Sequence, residues 1–216
     1  MRLENKNAII TGATGGIGFA TVSKYLDEGA NVMMVGRSED KLVEVYNRLG
    51  KPNNAAFSVA ESTDETAIRD SVQKTTNTFG SVDIVIANAG TEGVVQPLVD
   101  YSVQDFNYTL TVNVTGVWLY FKYAIPHMEN QGYGSIVAVA SGAGVVGFPG
   151  LCPYSASKHA VCGMVKTACL EYGEKGIRFN ALAPGPIDNR MMESLGTQSQ
   201  PCLLYTSDAA DEHSGG

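Results

Sequence analysis

Short apolar, β-branched runs alternate along most of the chain with longer stretches of helical period. That pattern belongs to a parallel sheet covered by helices on both faces. The runs predict strands at 8–11, 31–35, 55–59, 83–87, 135–140 and 178–183. Helices fall between them: 16–28 before Gly29, 39–49 with Ser38 as N-cap and Gly50 beyond, and 64–79 closed by Gly80. Two longer helices, 103–130 and 154–174, flank the fifth strand. Right-handed crossovers then give a Rossmann-like, doubly wound parallel sheet in three α/β/α layers. Its ligand belongs beyond the carboxyl ends of the strands, at the switch point beside the first strand.

Composition narrows this picture. In 216 residues, 44% apolar and only 17% charged, there is one domain's worth of chain with a large core, which excludes disorder. A net charge of −7 without any Lys/Arg run argues against nucleic acid as a partner. The stretch 131–157 carries no charge, but Gly, Pro and Ser interrupt it too often for a membrane span. The N-terminus has no apolar signal-peptide core, and Cys152, Cys162, Cys169 and Cys202 form no CxxC pair and have no His at ligand spacing. Reduced thiols, no metal site and a cytoplasmic location are expected. Glycine is in excess, 24 residues or about 11% where roughly 7% is usual, so some of it marks places where backbone approaches something closely.

The first such place follows the first strand. Thr11-Gly12-Ala13-Thr14-Gly15-Gly16-Ile17-Gly18 opens a helix, so its free N–H groups and the helix dipole converge on one small region that suits a pyrophosphate. A glycine-rich loop alone is weak, because turns also collect glycine, but its place at the start of a βαβ series strengthens the reading. The second strand ends in Gly36-Arg37-Ser38, where an acidic residue would take a ribose 2′-hydroxyl and an arginine a 2′-phosphate. Arg37 without a neighbouring carboxylate favours NADP over NAD; the alternative is a solvated loop arginine.

Tyr154 and Lys158 lie one helical turn apart, and Ser141 ends the fifth strand thirteen residues before Tyr154. A loop of that length brings the hydroxyl back beside the phenol. Tyrosine's reference pKa of about 10 means that proton shuttling near pH 7 requires phenolate to be favoured by roughly 4 kcal/mol. A neighbouring ammonium and an oxidised nicotinamide supply much of that. Tyr154 then exchanges a proton with a carbonyl oxygen, and Ser141 orients that oxygen.

With Thr11 to Gly18, Asn88-Ala89-Gly90, Asn113, Ser141, Tyr154 and Lys158 in this order, the chain resembles the short-chain dehydrogenase/reductase family from about Leu3 to Leu195. The resemblance implies an NAD(P)-dependent oxidoreductase that interconverts a carbonyl of a small molecule and a secondary alcohol, with Tyr154 as acid/base. It also implies that Lys158 holds the nicotinamide ribose and that Asn113 supports a water relay to Lys158. Asn88, Ala89 and Gly90 line the adenosine side and steady the central sheet, and Pro184-Gly185-Pro186-Ile187 covers the nicotinamide. A homo-oligomer, dimer or tetramer, is implied through the two long helices. Three positions depart from the family's pattern: Ala87 for an Asn, Glu61 where an aspartate often meets adenine, and Asn189 for a threonine.

Other residues read as structural: His127 as a helix C-terminal dipole partner, His159 as off the Lys158 face, Cys162 and Cys169 as packing, and Trp118, Leu119 and Phe121 as core or subunit contact. After Leu195 the family's pattern of a further helix and a seventh strand is not visible. From Cys202 onward the chain has neither helical period nor strand alternation, and it is similar to the reading-frame translation of a transposase adapter used in DNA library preparation. The expectation is therefore an incomplete domain over 1–195, six strands with the seventh missing, and a non-native disordered tail over 202–216. Strand six, with Phe179 and Leu182, would then be an aggregation-prone edge, and the alternative function is an impaired chain that binds dinucleotide weakly.

Overall fold

Each of the six apolar runs forms a strand in the computed structural model, which describes residues 1–187. In chain order the elements are β1 (Asn7–Thr11), α1 (Gly16–Asp27), β2 (Asn31–Gly36), α2 (Glu39–Arg48), β3 (Ala55–Val59), α3 (Glu65–Phe79) and β4 (Ile84–Ala87). There follow α4 (Val103–Leu110), a π-helical turn (Thr111–Thr115), α5 (Gly116–Gln131), β5 (Gly134–Val139), α6 (Cys152–Tyr172) and β6 (Ile177–Leu182). The strands are ordered β3-β2-β1-β4-β5-β6, and every pairing is parallel. The chain winds outward from β1 to β3 and then returns to β1's other side, so the switch point lies between β1 and β4.

Strand alternation divides the core between the two faces of the sheet. Ile9, Met33, Val85 and Ile136 face a cluster with Ile68 and Val72 of α3, Phe121 and Ala124 of α5, and Val161 and Val165 of α6. Ala8, Ile10, Val32, Met34 and Ile86 face the opposite cluster with Val22 of α1 and Leu42 and Val45 of α2. Burial on both faces is why these strands read as continuous apolar runs. Two expected caps are in place: Ser38 accepts from Lys41 N and Gly80 ends α3 at φ 95°; Asp64, expected as the first helical residue, is instead the N-cap and accepts from Ala67 N.

One expectation is corrected. The single helix 103–130 is interrupted by the π-helical turn, whose one extra residue per turn leaves the apolar period too little changed to be seen in sequence. Of the three apolar residues on this helix, Leu119 and Phe121 are core, whereas Trp118 is 46% exposed, with Lys122 Nζ 5.2 Å from its ring centroid. Among the described residues β6 is a sheet edge; Phe179 is buried edge-on to Phe121 at 5.5 Å, and Leu182 is exposed. Asn189 and the expectations for 188–216 lie outside the described residues. No helix among the described residues is long and apolar enough to cross a membrane.

Candidate active site

The loop between β1 and α1 is held from below. Asn88 Nδ2 donates to Thr11 O at 3.0 Å, and the N–H groups of Asn88 and Ala89 both donate to Thr11 Oγ1, at 2.9 and 2.8 Å. These bonds tie β4's exit to β1's and fix the floor of the switch point. Gly12 sits at φ 62°, and a Cβ there would lie 2.9 Å from Asn88 Nδ2; at Gly18 a Cβ would lie 2.1 Å from Gly12 O. Neither position has room for a side chain. Above them Thr14, Gly15 and Gly16 are exposed, and α1 begins at Gly16, after Gly15 as N-cap, without a side-chain cap and without an acidic residue in its first turn. Uncapped N–H groups at the positive end of a helix dipole fit the pyrophosphate of a dinucleotide. Arg37 leaves β2 into solvent with no ion pair among the described residues, while Glu61 accepts from Ser62 N beyond β3.

The second half of the site is built on β5 and α6. Ser141 follows β5 and accepts from Ala143 N at 3.1 Å, and its side chain acts on the Tyr154 phenol in the sense that favours phenolate. Pro153 in the first turn of α6 starts the helix that carries Tyr154 and Lys158. Lys158 Nζ donates to Val139 O at 2.8 Å and lies 5.6 Å from the Tyr154 ring centroid. Asn113, fully buried in the π-helical turn, accepts from Thr91 N at 2.8 Å and donates to Thr91 O and Ser157 Oγ at 2.8 and 3.0 Å. Ser157 in turn donates to Tyr154 O at 2.6 Å. The π turn thus clamps both the loop after β4 and the second turn of α6. Gly90 lies between the two: a Cβ there would sit 3.2 Å from Asn113 Oδ1 and 3.5 Å from Lys158 Nζ.

Asn113, Ser141, Tyr154 and Lys158 are therefore brought to one place, beside Gly12 to Gly18, Asn88, Ala89 and Gly90. Pro184 O accepts from Gly142 N at 2.9 Å, and Gly185 and Ile187 continue from it exposed. His127 and His159 stay apart from the site in bonding; His159 Nδ1 pairs with Ser155 O. Ser157 and Glu92 were not picked out by sequence reasoning. Ser157 had only its place inside Tyr-x-x-Ser-Lys. Glu92 had a clearer signal, as the only charged residue between Asp83 and Asp100.

Without a cofactor, the protein's own groups raise the Tyr154 phenol: burial is the largest cause, Ser141 opposes it, and the Glu92 charge adds to it. Burial also pushes the Lys158 ammonium down to about 8.

The short chain dehydrogenase family model matches residues 6–200. The chain is 37% identical over 206 residues to a 3-oxoacyl-acyl-carrier-protein reductase of Thermotoga maritima, covering 94% of this chain and 83% of the relative. It is 38% identical to short-chain dehydrogenase reductase 3a of Arabidopsis thaliana over 185 residues, 85% of this chain and 72% of the relative. Among solved structures, levodione reductase superposes with a TM-score of 0.88 at 32% identity, over 91% of this chain and 78% of that one. NAD+-bound xylitol dehydrogenase superposes with a TM-score of 0.82 at 34% identity, over 86% and 72%. The chain belongs to the short chain dehydrogenase family of NAD(P)-dependent oxidoreductases.

Proposed function

We propose that this chain interconverts a small-molecule carbonyl and a secondary alcohol, with Tyr154 as the acid/base and NADP preferred over NAD. The observation that carries the reading is the meeting of Tyr154 and Lys158, 5.6 Å from Nζ to the ring centroid, with Lys158 Nζ tied to Val139 O and Ser141 acting on the phenol at the exit of β5. The family's activity and the printed names of relatives, such as glucose 1-dehydrogenase of Gluconobacter oxydans, support it. When bound, the nicotinamide supplies or accepts the hydride and, oxidised, places a positive charge beside the phenol.

In the reducing direction Tyr154 Oη donates its proton to the substrate oxygen, and Ser141 Oγ shifts from the phenol to that same oxygen to steady the developing charge. The raised phenol is well suited to stay protonated until then. Lys158 lies within reach of a ribose through Nζ and refills the tyrosine's proton by way of water. Asn113 Oδ1, whose second lone pair is unused by Thr91, holds such a water. The uncapped N–H groups of Gly16, Ile17 and Gly18, with Thr14 and Gly15 before them, take the pyrophosphate. Asn88, Ala89 and Gly90 flank the adenosine side, and Pro184, Gly185 and Ile187 close over the nicotinamide.

Arg37 takes the 2′-phosphate by charge-assisted hydrogen bonds. Exposed Trp118 on α5 and Leu170 on α6 seat a second copy in a dimer or tetramer. A cytoplasmic location suits the free thiols Cys152, Cys162 and Cys169. The domain proper is assigned to 1–195 and a non-native tail to 202–216.

The test follows NADPH absorbance against a panel of ketones. Tyr154→Phe is expected to lower kcat/KM by roughly a hundredfold to ten-thousandfold; a loss below tenfold overturns the role of Tyr154. Arg37→Ala is expected to weaken NADPH about tenfold or more and NADH little. Equal weakening of both would remove the NADP assignment.

A further inference from the structure

Glu92 is a carboxylate only 7% exposed, in the loop that follows β4, and among the described residues no hydrogen-bond donor or cation pairs with it. A buried carboxylate without a partner is costly and is retained for a reason outside folding. Its oxygens are not sealed: among the described residues Ser155 Oγ is the one fully enclosed side-chain polar atom without a partner. The Glu92 carboxylate therefore keeps an opening.

Glu92 lies beside the reacting groups. Two residues before Glu92, Gly90 lies against Asn113 Oδ1 and Lys158 Nζ, and two residues of chain span about 7 Å at most. The Glu92 charge is felt at the Tyr154 phenol. Both flanks of Glu92 are pinned. Thr91 is held by Asn113 on its N–H and its carbonyl. Gly93, at φ 72°, is pressed so close to α4 that a Cβ would lie 2.4 Å from Thr109 Oγ1. Further on, Gln96 N donates to Gly150 O at 3.2 Å, and the Tyr101 hydroxyl donates toward Val94 O and Gly150 O at 2.6 and 2.7 Å. Val95 packs on Ala143, Leu151 and Tyr154. The loops 90–97 and 141–151 thus close around Tyr154 from two sides, with a fixed carboxylate on one of them.

We propose that Glu92 is a substrate-binding residue that accepts a hydrogen bond from a hydroxyl group next to the reacting carbon, so that the substrates are vicinal diols and α-hydroxyketones. The inference rests on the oxidoreductase reading of the same site and adds the substrate class. A hydroxyl is a neutral donor and satisfies the carboxylate without a second charge. An anionic substrate group would meet like-charge repulsion there. A site built to bind a hydroxyl also rejects the analogue that lacks it, because the buried acceptor is then left unpaired.

The experiment measures kcat/KM for matched pairs with NAD+ and NADP+: cis-1,2-cyclohexanediol against cyclohexanol, and 2,3-butanediol against 2-butanol. In reduction, acetoin is set against 2-butanone. Wild type is expected to prefer the hydroxylated member at least tenfold. Glu92→Leu should cut that preference about ten- to a hundredfold, while Glu92→Gln, which keeps a carbonyl acceptor, should recover part of it. Thermal unfolding separates this from a structural role: removing an unpartnered buried carboxylate raises Tm, whereas removing a structural one lowers it. A diol preference that stays within twofold in Glu92→Leu, or a wild type that turns over other ketones and favours neither hydroxylated partner, overturns the assignment of Glu92 and leaves the oxidoreductase reading standing. No turnover of any alcohol or ketone with either cofactor overturns both.

Discussion

Lys158 is enclosed by protein and donates one hydrogen bond to Val139 O, and that burial brings it down to about 8 from the 10.5 of a free lysine. A group depressed in this way withholds stability at low pH, where folding must bury the charged form. It adds stability as pH rises from about 8, up to the unfolded value of 10.5. Tyr154 works in the opposite sense: its phenol is raised above 10.0, so its stabilising contribution is present below that value and is lost above it. The clean window is therefore pH 8 to 10. Across it, wild type should gain on the order of 2 kcal/mol relative to Lys158→Met. Urea titrations of both proteins at several pH values measure this; a stability difference that is flat from pH 8 to 10 would show that Lys158 is already neutral or fully solvated in the fold. The same pair shows what residue types alone could not reveal. Tyr154 and Lys158 at i and i+4 announced themselves by spacing, but the direction of their pKa shifts depends on how much water the fold removes, and spacing carries no measure of that.

Among the elements, the π-helical turn does most to assemble the site. It places Asn113 where a straight helix would carry it past, so that one amide meets Thr91 of the loop after β4 and Ser157 of α6. π turns recur at functional sites for this reason. Asn113→Ala would leave the Thr91 N–H and carbonyl and the Ser157 hydroxyl short of partners, an expected loss of about 2 to 4 kcal/mol. The measurement is the urea midpoint at unchanged slope. A shift under about 0.5 kcal/mol would mean that water replaces the amide and that the clamp is not structural. The strands and the cap at Ser38 were legible beforehand because burial on both faces makes a strand apolar throughout and a cap needs a particular side chain. The π turn was not, since Thr111–Thr115 continues the apolar period of its neighbours. Glu92 escaped for another reason: a loop carboxylate has no periodic partner, and only the folded chain brings it to Tyr154.

Across the whole molecule, the two ends of the sheet have different duties. The carboxyl end holds exposed glycines, an uncapped helix and, among the described residues, an unpartnered carboxylate. The amino end is the reverse, a closed polar network around Asp83. Its carboxylate accepts from Asn7 N at 2.8 Å, from Ser81 Oγ at 3.0 Å and from Tyr133 Oη at 2.8 Å, with Gln131 Nε2 at 3.3 Å. Asn7 also donates to Phe79 O and Ser81 Oγ. These bonds staple β1 to β4 and to the turn after α5, so Asp83 is satisfied where Glu92 is not. That contrast makes a prediction about both ends at once. Asp83→Ala strands several buried donors and should cost about 3 kcal/mol, a fall in Tm of roughly 6–12 °C for a chain of this size. It should leave the dissociation constant for NADPH within twofold at a temperature where the variant is folded, because Asp83 lies at the opposite end of the strands from the glycine loop. Glu92→Leu at the other end should move Tm upward and substrate preference downward. Calorimetry and fluorescence titration on the two variants decide it. A large loss of NADPH affinity in Asp83→Ala, measured well below its Tm, would show that the ends of the sheet are coupled and that stability and ligand binding are not divided between them.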